Sequence, residues 1–265
     1  METKHTFSFQ RLVLLSKHSL IINKKLIGIT LAAMIGMIIL VLIFFQSMED
    51  FKTWQNRYYE TIFAFFFFAW GIIYSSLSFP AFRSKEKSMA YLMLPASSSE
   101  KFVFEFLSRI VIYILFMPLL FWTVANLEGA IVHHFVPKLT NYRFSFIDPS
   151  LTNGTPIENQ GWLAFAFVQG GLFVFIAAFT GASHFTKSSL LKTMAGLSLI
   201  AASYALFTYL VVKGTNVEAY HNANKGGMLF IKNEHDAFIF IGFGIMVINL
   251  CLLSIAFFRL KEKEA

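Results

Sequence analysis

Charge is scarce in this chain: Asp, Glu, Lys and Arg supply 14% of its 265 residues, against the roughly 25% usual in soluble domains. Hydrophobic residues supply 56% and mean hydropathy is +0.61, so a water-soluble globule would lack the polar surface to cover itself. The lone cysteine, Cys251, excludes an intrachain disulfide, and its place within an apolar run gives it a packing role. Reactive motifs are missing as well. There is no HExxH, no GxSxG and no paired-cysteine metal site. The nearest approach to a phosphate loop, GASHFTKS from Gly181 to Ser188, has Thr186 where the second glycine belongs and follows an apolar helix instead of a strand. Nucleotide binding by that route is excluded. No ten-residue alternation repeats along the chain, which argues against a transmembrane barrel.

What is present is a series of apolar runs near the ~20 residues that a helix needs to cross hydrocarbon. They predict an all-α membrane protein with six spans, at about Leu26–Phe45, Tyr59–Phe79, Phe102–Ala125, Trp162–Ser183, Leu191–Val212 and Asp236–Phe258. An even number puts both termini on one side. That side carries Lys4, Arg11, Lys17, Lys24, Lys25, Arg83, Lys85, Lys87, Lys101, Lys187, Lys192, Arg259, Lys261 and Lys263. The other carries Lys52, Arg57, Lys138, Arg143, Lys213, Lys225 and Lys232, with Arg109 inside a span. A two-to-one bias makes the first side, and both termini, cytoplasmic. The formal charge of +7 is thereby explained without nucleic acid.

Residues 1–25 are polar and basic and lack the pattern of a signal peptide. Phe9, Leu12, Val13 and Leu20 share one helical face, with Gln10, Arg11, Lys17, His18 and Lys25 opposite and Leu14 as an exception. This predicts an interfacial helix lying on the cytoplasmic surface. Two larger segments face the other side, 126–161 and 213–235. The first is rich in turn-formers, Pro137, Asp148-Pro149, Asn153-Gly154 and Pro156, and a short amphipathic helix is possible over Glu128–Val136. No internal repeat or domain linker is evident, so residues 1–265 read as one membrane domain.

The cytoplasmic segment 80–101 concentrates the polar chemistry. Arg83, Lys85, Glu86 and Lys87 precede an apolar patch of Met89, Leu92, Met93 and Leu94; Pro95 ends it. Ser97-Ser98-Ser99-Glu100 reads as a capping box that starts a helix near Ser98. Lys101, Glu105 and Arg109 follow at helical spacing, a ladder that suits snorkelling ion pairs at the interface and would fix the loop to the third span. Pro118 is expected to kink that helix. Gln169, beside Gly170-Gly171, and Asn249 are polar groups within spans, suited to packing between helices or to a transport pathway. The run Phe63–Trp70 is aromatic bulk for lipid or core. His133, His134, His184, His221 and His235 are scattered, and no metal or other cofactor is expected. Asn153-Gly154-Thr155 matches a glycosylation sequon.

An interfacial helix, six spans and a structured loop after the second resemble the membrane subunit of type-2 ABC exporters. The stretch Tyr91 to Ile110, YLMLPASSSEKFVFEFLSRI, is similar to the LP-S-x-x-E segment that precedes span three in small bacterial permeases of this kind. That resemblance implies a non-enzymatic permease of the bacterial plasma membrane, paired with a second permease copy. It also implies a separate ATPase subunit that docks on Arg83, Lys85, Glu86, Lys87, Leu92, Leu94, Pro95, Glu100 and Lys101. The usual short helical hairpin between spans five and six is not evident in 213–235. A membrane scaffold or sensory partner, working through the two larger segments, is the alternative. An intramembrane enzyme ranks third, because no acid–base pair shares a depth.

Overall fold

In the computed structural model, the described residues are 7–48, 54–80, 96–136, 143–146, 157–185, 188–215 and 234–264. Among them the chain forms helices and no strand. We number these α1 (Phe9–Met48), α2 (Asn56–Ser76), α3 (Ser98–Phe135), α4 (Ile157–His184), α5 (Ser189–Thr215) and α6 (Glu234–Glu264). Every apolar segment read from the sequence lies on one of them, although α2 stops at Ser76. Among the described residues four stretches are long and apolar enough to cross a membrane: Phe9–Met48, Ser98–Phe135, Ala164–His184 and Ile239–Lys263. A helix satisfies its own backbone, which is what an apolar solvent demands.

Two boundaries differ from expectation. The separate N-terminal interfacial helix does not exist as its own element: Phe9 to Met48 is one helix of 40 residues. Lys24-Lys25 are good helix formers, and Gly28 costs about 1 kcal/mol, which is too little to break a helix of this length. At the other boundary, α3 continues past Ala125 through Glu128 to Phe135. At about 1.5 Å per residue each helix is more than 50 Å long, well beyond the ~30 Å of a hydrocarbon core. Pro118 lies within α3 without ending it. α3 also contains a π-helical turn, Leu107–Val111, which includes Arg109.

Contacts group the chain into two compact units, Met1–Tyr74 with Met93–Gly154, and Ser75–Leu92 with Thr155–Ala265. In the first unit α1 packs on α3, burying Ile38 and Leu42 of α1 and Met117, Phe121 and Ala125 of α3. Tyr113 Oη on α3 donates to the Phe67 carbonyl of α2 at 2.7 Å. Residues 143–146, part of the turn-rich segment, are held by two asparagines. Asn126 exchanges a reciprocal pair of hydrogen bonds with the Phe144 backbone (3.2 and 3.1 Å), and Asn56 does the same with Ser145 (3.0 and 3.2 Å). Two side-chain amides thus take the place of a neighbouring strand. Phe144 is thereby seated against Tyr59 and Phe121.

In the second unit α4 packs along α6 and against α5. Glycine sets both approaches. A methyl added at Gly242 of α6 would lie 2.6 Å from the Phe165 ring, and one at Gly181 of α4 would lie 2.7 Å from Thr193 Cβ on α5. Gly181→Val is therefore expected to destabilise this unit by about 1–3 kcal/mol through overpacking. Thermal unfolding in detergent would register this as a lower midpoint, while Gly170→Val, at a position with open space, leaves it nearly unchanged.

Candidate functional site: the polar seat of the third helix

The start of α3 is built by its own sequence. Ser97 has extended backbone, and its Oγ accepts from the Glu100 amide at 3.3 Å; Glu100 Oε2 in return accepts from the Ser97 amide at 2.9 Å. This is the expected capping box. The carboxylate has a second duty that the sequence did not reveal. Glu100 Oε1 accepts from the Ser8 amide at 2.6 Å and faces Arg11 Nη2 at 3.0 Å. Glu100 is fully buried, whereas the Arg11 side chain keeps 31% of its exposure. One carboxylate therefore caps α3 and also clamps the first turn of α1 to it. No pattern in a single sequence pairs positions 11 and 100; only the fold brings them together.

The ladder above the cap is in place but does not snorkel. Lys101 and Glu105 are both buried. Glu105 Oε2 meets Arg109 Nε at 3.6 Å, and the Arg109 guanidinium lies over the Tyr74 ring at 4.8 Å. The guanidinium thus has both an aromatic ring and a carboxylate as partners. The π turn carries Arg109, and such single turns within α-helices are frequent at functional sites.

Of the residues expected to contact a partner, Arg83, Lys85, Glu86, Lys87, Leu92, Leu94 and Pro95 lie outside the described residues. Glu100 and Lys101 are described, and both are turned into their own chain. The contacts of Glu100 are those of the capping box and the clamp.

Gln169 and Asn249 come together in the second unit. Asn249 Nδ2 donates to the Gln169 carbonyl and to Gln169 Oε1, both at 3.2 Å, and so ties α6 to α4. Asn249→Leu is expected to cost about 0.6–1 kcal/mol, the usual worth of such a bond between helices in a membrane. Comparing its unfolding midpoint with that of wild type in detergent checks this. On α6, Lys263 Nζ also donates to the Ser183 carbonyl at 2.6 Å. Among the described residues no group of three His, Cys, Asp or Glu is placed to hold a metal ion.

These features define a protein whose described elements are all helices, apolar enough to be compatible with a membrane, with a clamped polar seat at the base of α3. No family model, curated protein or solved structure matches the chain.

Proposed function

We propose that the chain is the membrane-spanning permease subunit of an ATP-driven, ABC-type exporter in the bacterial plasma membrane, with six spans in one membrane domain and both termini cytoplasmic. A separate ATPase subunit docks on residues 83–95, and a second permease copy completes the pathway. The chain itself hydrolyses nothing. One observation carries this reading. Directly after the charged segment in sequence, α3 begins at a capping box whose glutamate is also fixed to α1. A push on that segment would therefore reach two long helices with little lost in slack. The apolar patch Leu92–Leu94 with its basic rim suits a contact in which burial supplies affinity and charge supplies register.

Co-purification tests it. Membranes that co-express the chain with the ATPase encoded beside it are expected to yield a complex, and Leu92→Lys with Leu94→Lys to abolish it. Glu100 is unsuited to this purpose because its change disturbs the fold. Retention of complex and ATP-dependent export by the double variant would rule out docking at this segment. Absence of any neighbouring ATPase, with a soluble partner captured by the 126–161 segment, would favour the scaffold reading instead.

A further inference from the structure

A second polar cluster lies at the far end of α1 from Glu100, and the transport reading makes no use of it. Gln46 of α1 and Glu128 of α3 are buried, as is Tyr59 of α2. Gln46 Nε2 sits between the other two, 3.2 Å from Tyr59 Oη and 3.3 Å from Glu128 Oε2. Glu128 Oε1 and Gln46 Oε1 are buried with no hydrogen-bond partner among the described residues. Trp54 closes over Tyr59 edge-on at 5.3 Å, and Phe144 lies on its other side.

Among the described residues no lysine or arginine pairs with Glu128. On the elements around it, Arg57 and Arg143 are exposed and Glu60 accepts from Asn56 at 2.9 Å. His133 and His134 lie beyond it on α3, towards the helix end; Glu49, Asp50 and Lys52 fall outside the described residues. An ionised carboxylate buried with one neutral amide for company is strongly disfavoured. A hard metal cation takes about six oxygens; this cluster offers fewer, since the helical carbonyls around it are already bonded. A proton needs one acceptor.

We propose that Glu128 is a proton-binding site, its carboxyl held neutral inside the cluster. The amide oxygen and nitrogen of Gln46 exchange by a half-turn of the side chain. Turned that way, Oε1 accepts from two O–H donors, Tyr59 and the Glu128 acid. Loss of the proton leaves a bare charge between α1 and α3 and loosens that end of the pair. Neutral Glu128 belongs to the folded state, whereas in the unfolded chain it ionises as an ordinary glutamate. Stability from this group is therefore present at low pH and is lost as pH rises.

Full-length protein in detergent decides the matter, whether or not the chain proves to be a transporter. Infrared spectra of the wild type are expected to show a protonated-carboxyl band that fades with rising pH and is missing in Glu128→Gln. The unfolding temperature of the wild type falls between about pH 5 and pH 9, and that of Glu128→Gln stays flatter over the same range. Exchange of sodium for choline changes neither. Should Glu128→Gln fail to fold, Gln46→Leu removes the acceptor and is expected to shift the same band. Three results overturn the proposal: no such band in the wild type, a sodium-dependent unfolding temperature, or a band that emerges only in Lys52→Met. The last would mean that Glu128 is an ion-paired carboxylate.

Discussion

Glu100→Ala is expected to lower the unfolding free energy of the protein by about 3 kcal/mol, more than any neighbouring substitution. The change removes the reciprocal half of a capping box, worth ~1 kcal/mol. It also strips acceptors from two backbone amides and a guanidinium. Hydrogen bonds to a charged group contribute about 1.5–3 kcal/mol each when buried. The arginine retains 31% exposure, so water compensates part of its loss and the sum is discounted. Glu100→Gln keeps the shape and one acceptor oxygen and is expected to cost roughly half as much. Arg11→Met breaks the exposed side of the clamp alone, for about 1 kcal/mol or less.

The loss has a location as well as a size. Freed from Ser8 and Arg11, the first turns of α1 lose their tie to α3 while the helix beyond Leu26 remains packed through Met34, Ile38 and Leu42. Limited proteolysis is therefore expected to cut Glu100→Ala within residues 9–25 faster than wild type, with little change around Met117 or Phe121. Uniform sensitivity along the chain would show that Glu100 holds the whole fold and not this joint.

The helices were legible because their signal is additive: twenty apolar residues state the same thing many times over. The capping box was legible for a different reason, since both partners sit within four residues of one another. What the sequence hid lies at long range. Ser8 and Glu100 are 92 positions apart, and Gln46 and Glu128 are 82 apart. Single polar residues such as Gln46 and Glu128, each set in an apolar neighbourhood, were the available clue, because burial of such groups demands a partner. The position of the partner is a property of the packing. Continuity of α1 is not legible in the sequence, because amphipathic periodicity before Lys25 and uniform apolarity after it look like two elements. A helix can pass from one surrounding to another without changing its backbone. The π turn at Leu107–Val111 has no propensity signature, and nothing in LSRIV marked it.

Under the transport proposal, docking and transmission are separable, and the second large effect follows from that. Leu92→Lys with Leu94→Lys places two charges on the apolar patch and is expected to lose the ATPase altogether. Glu100→Gln leaves 83–95 untouched, so the complex forms and ATP is hydrolysed. The joint between the segment, α3 and α1 is looser, however, and force is spent on local motion. Transport per ATP is then expected to fall by about tenfold, equivalent to ~1.4 kcal/mol of lost coupling between the two events. Reconstituted vesicles with ATPase activity and substrate flux measured side by side separate the cases. The double lysine variant loses both activities together; Glu100→Gln keeps hydrolysis and loses flux. If hydrolysis and flux decline in parallel in Glu100→Gln, the glutamate stabilises the subunit without transmitting anything, and the clamp is a structural joint only. If flux is unaffected while the N-terminal turns become protease-sensitive, α1 is not on the path of the movement. In that case the push must travel through α3 alone, with Arg109, its π turn and Tyr74 as the next residues to change.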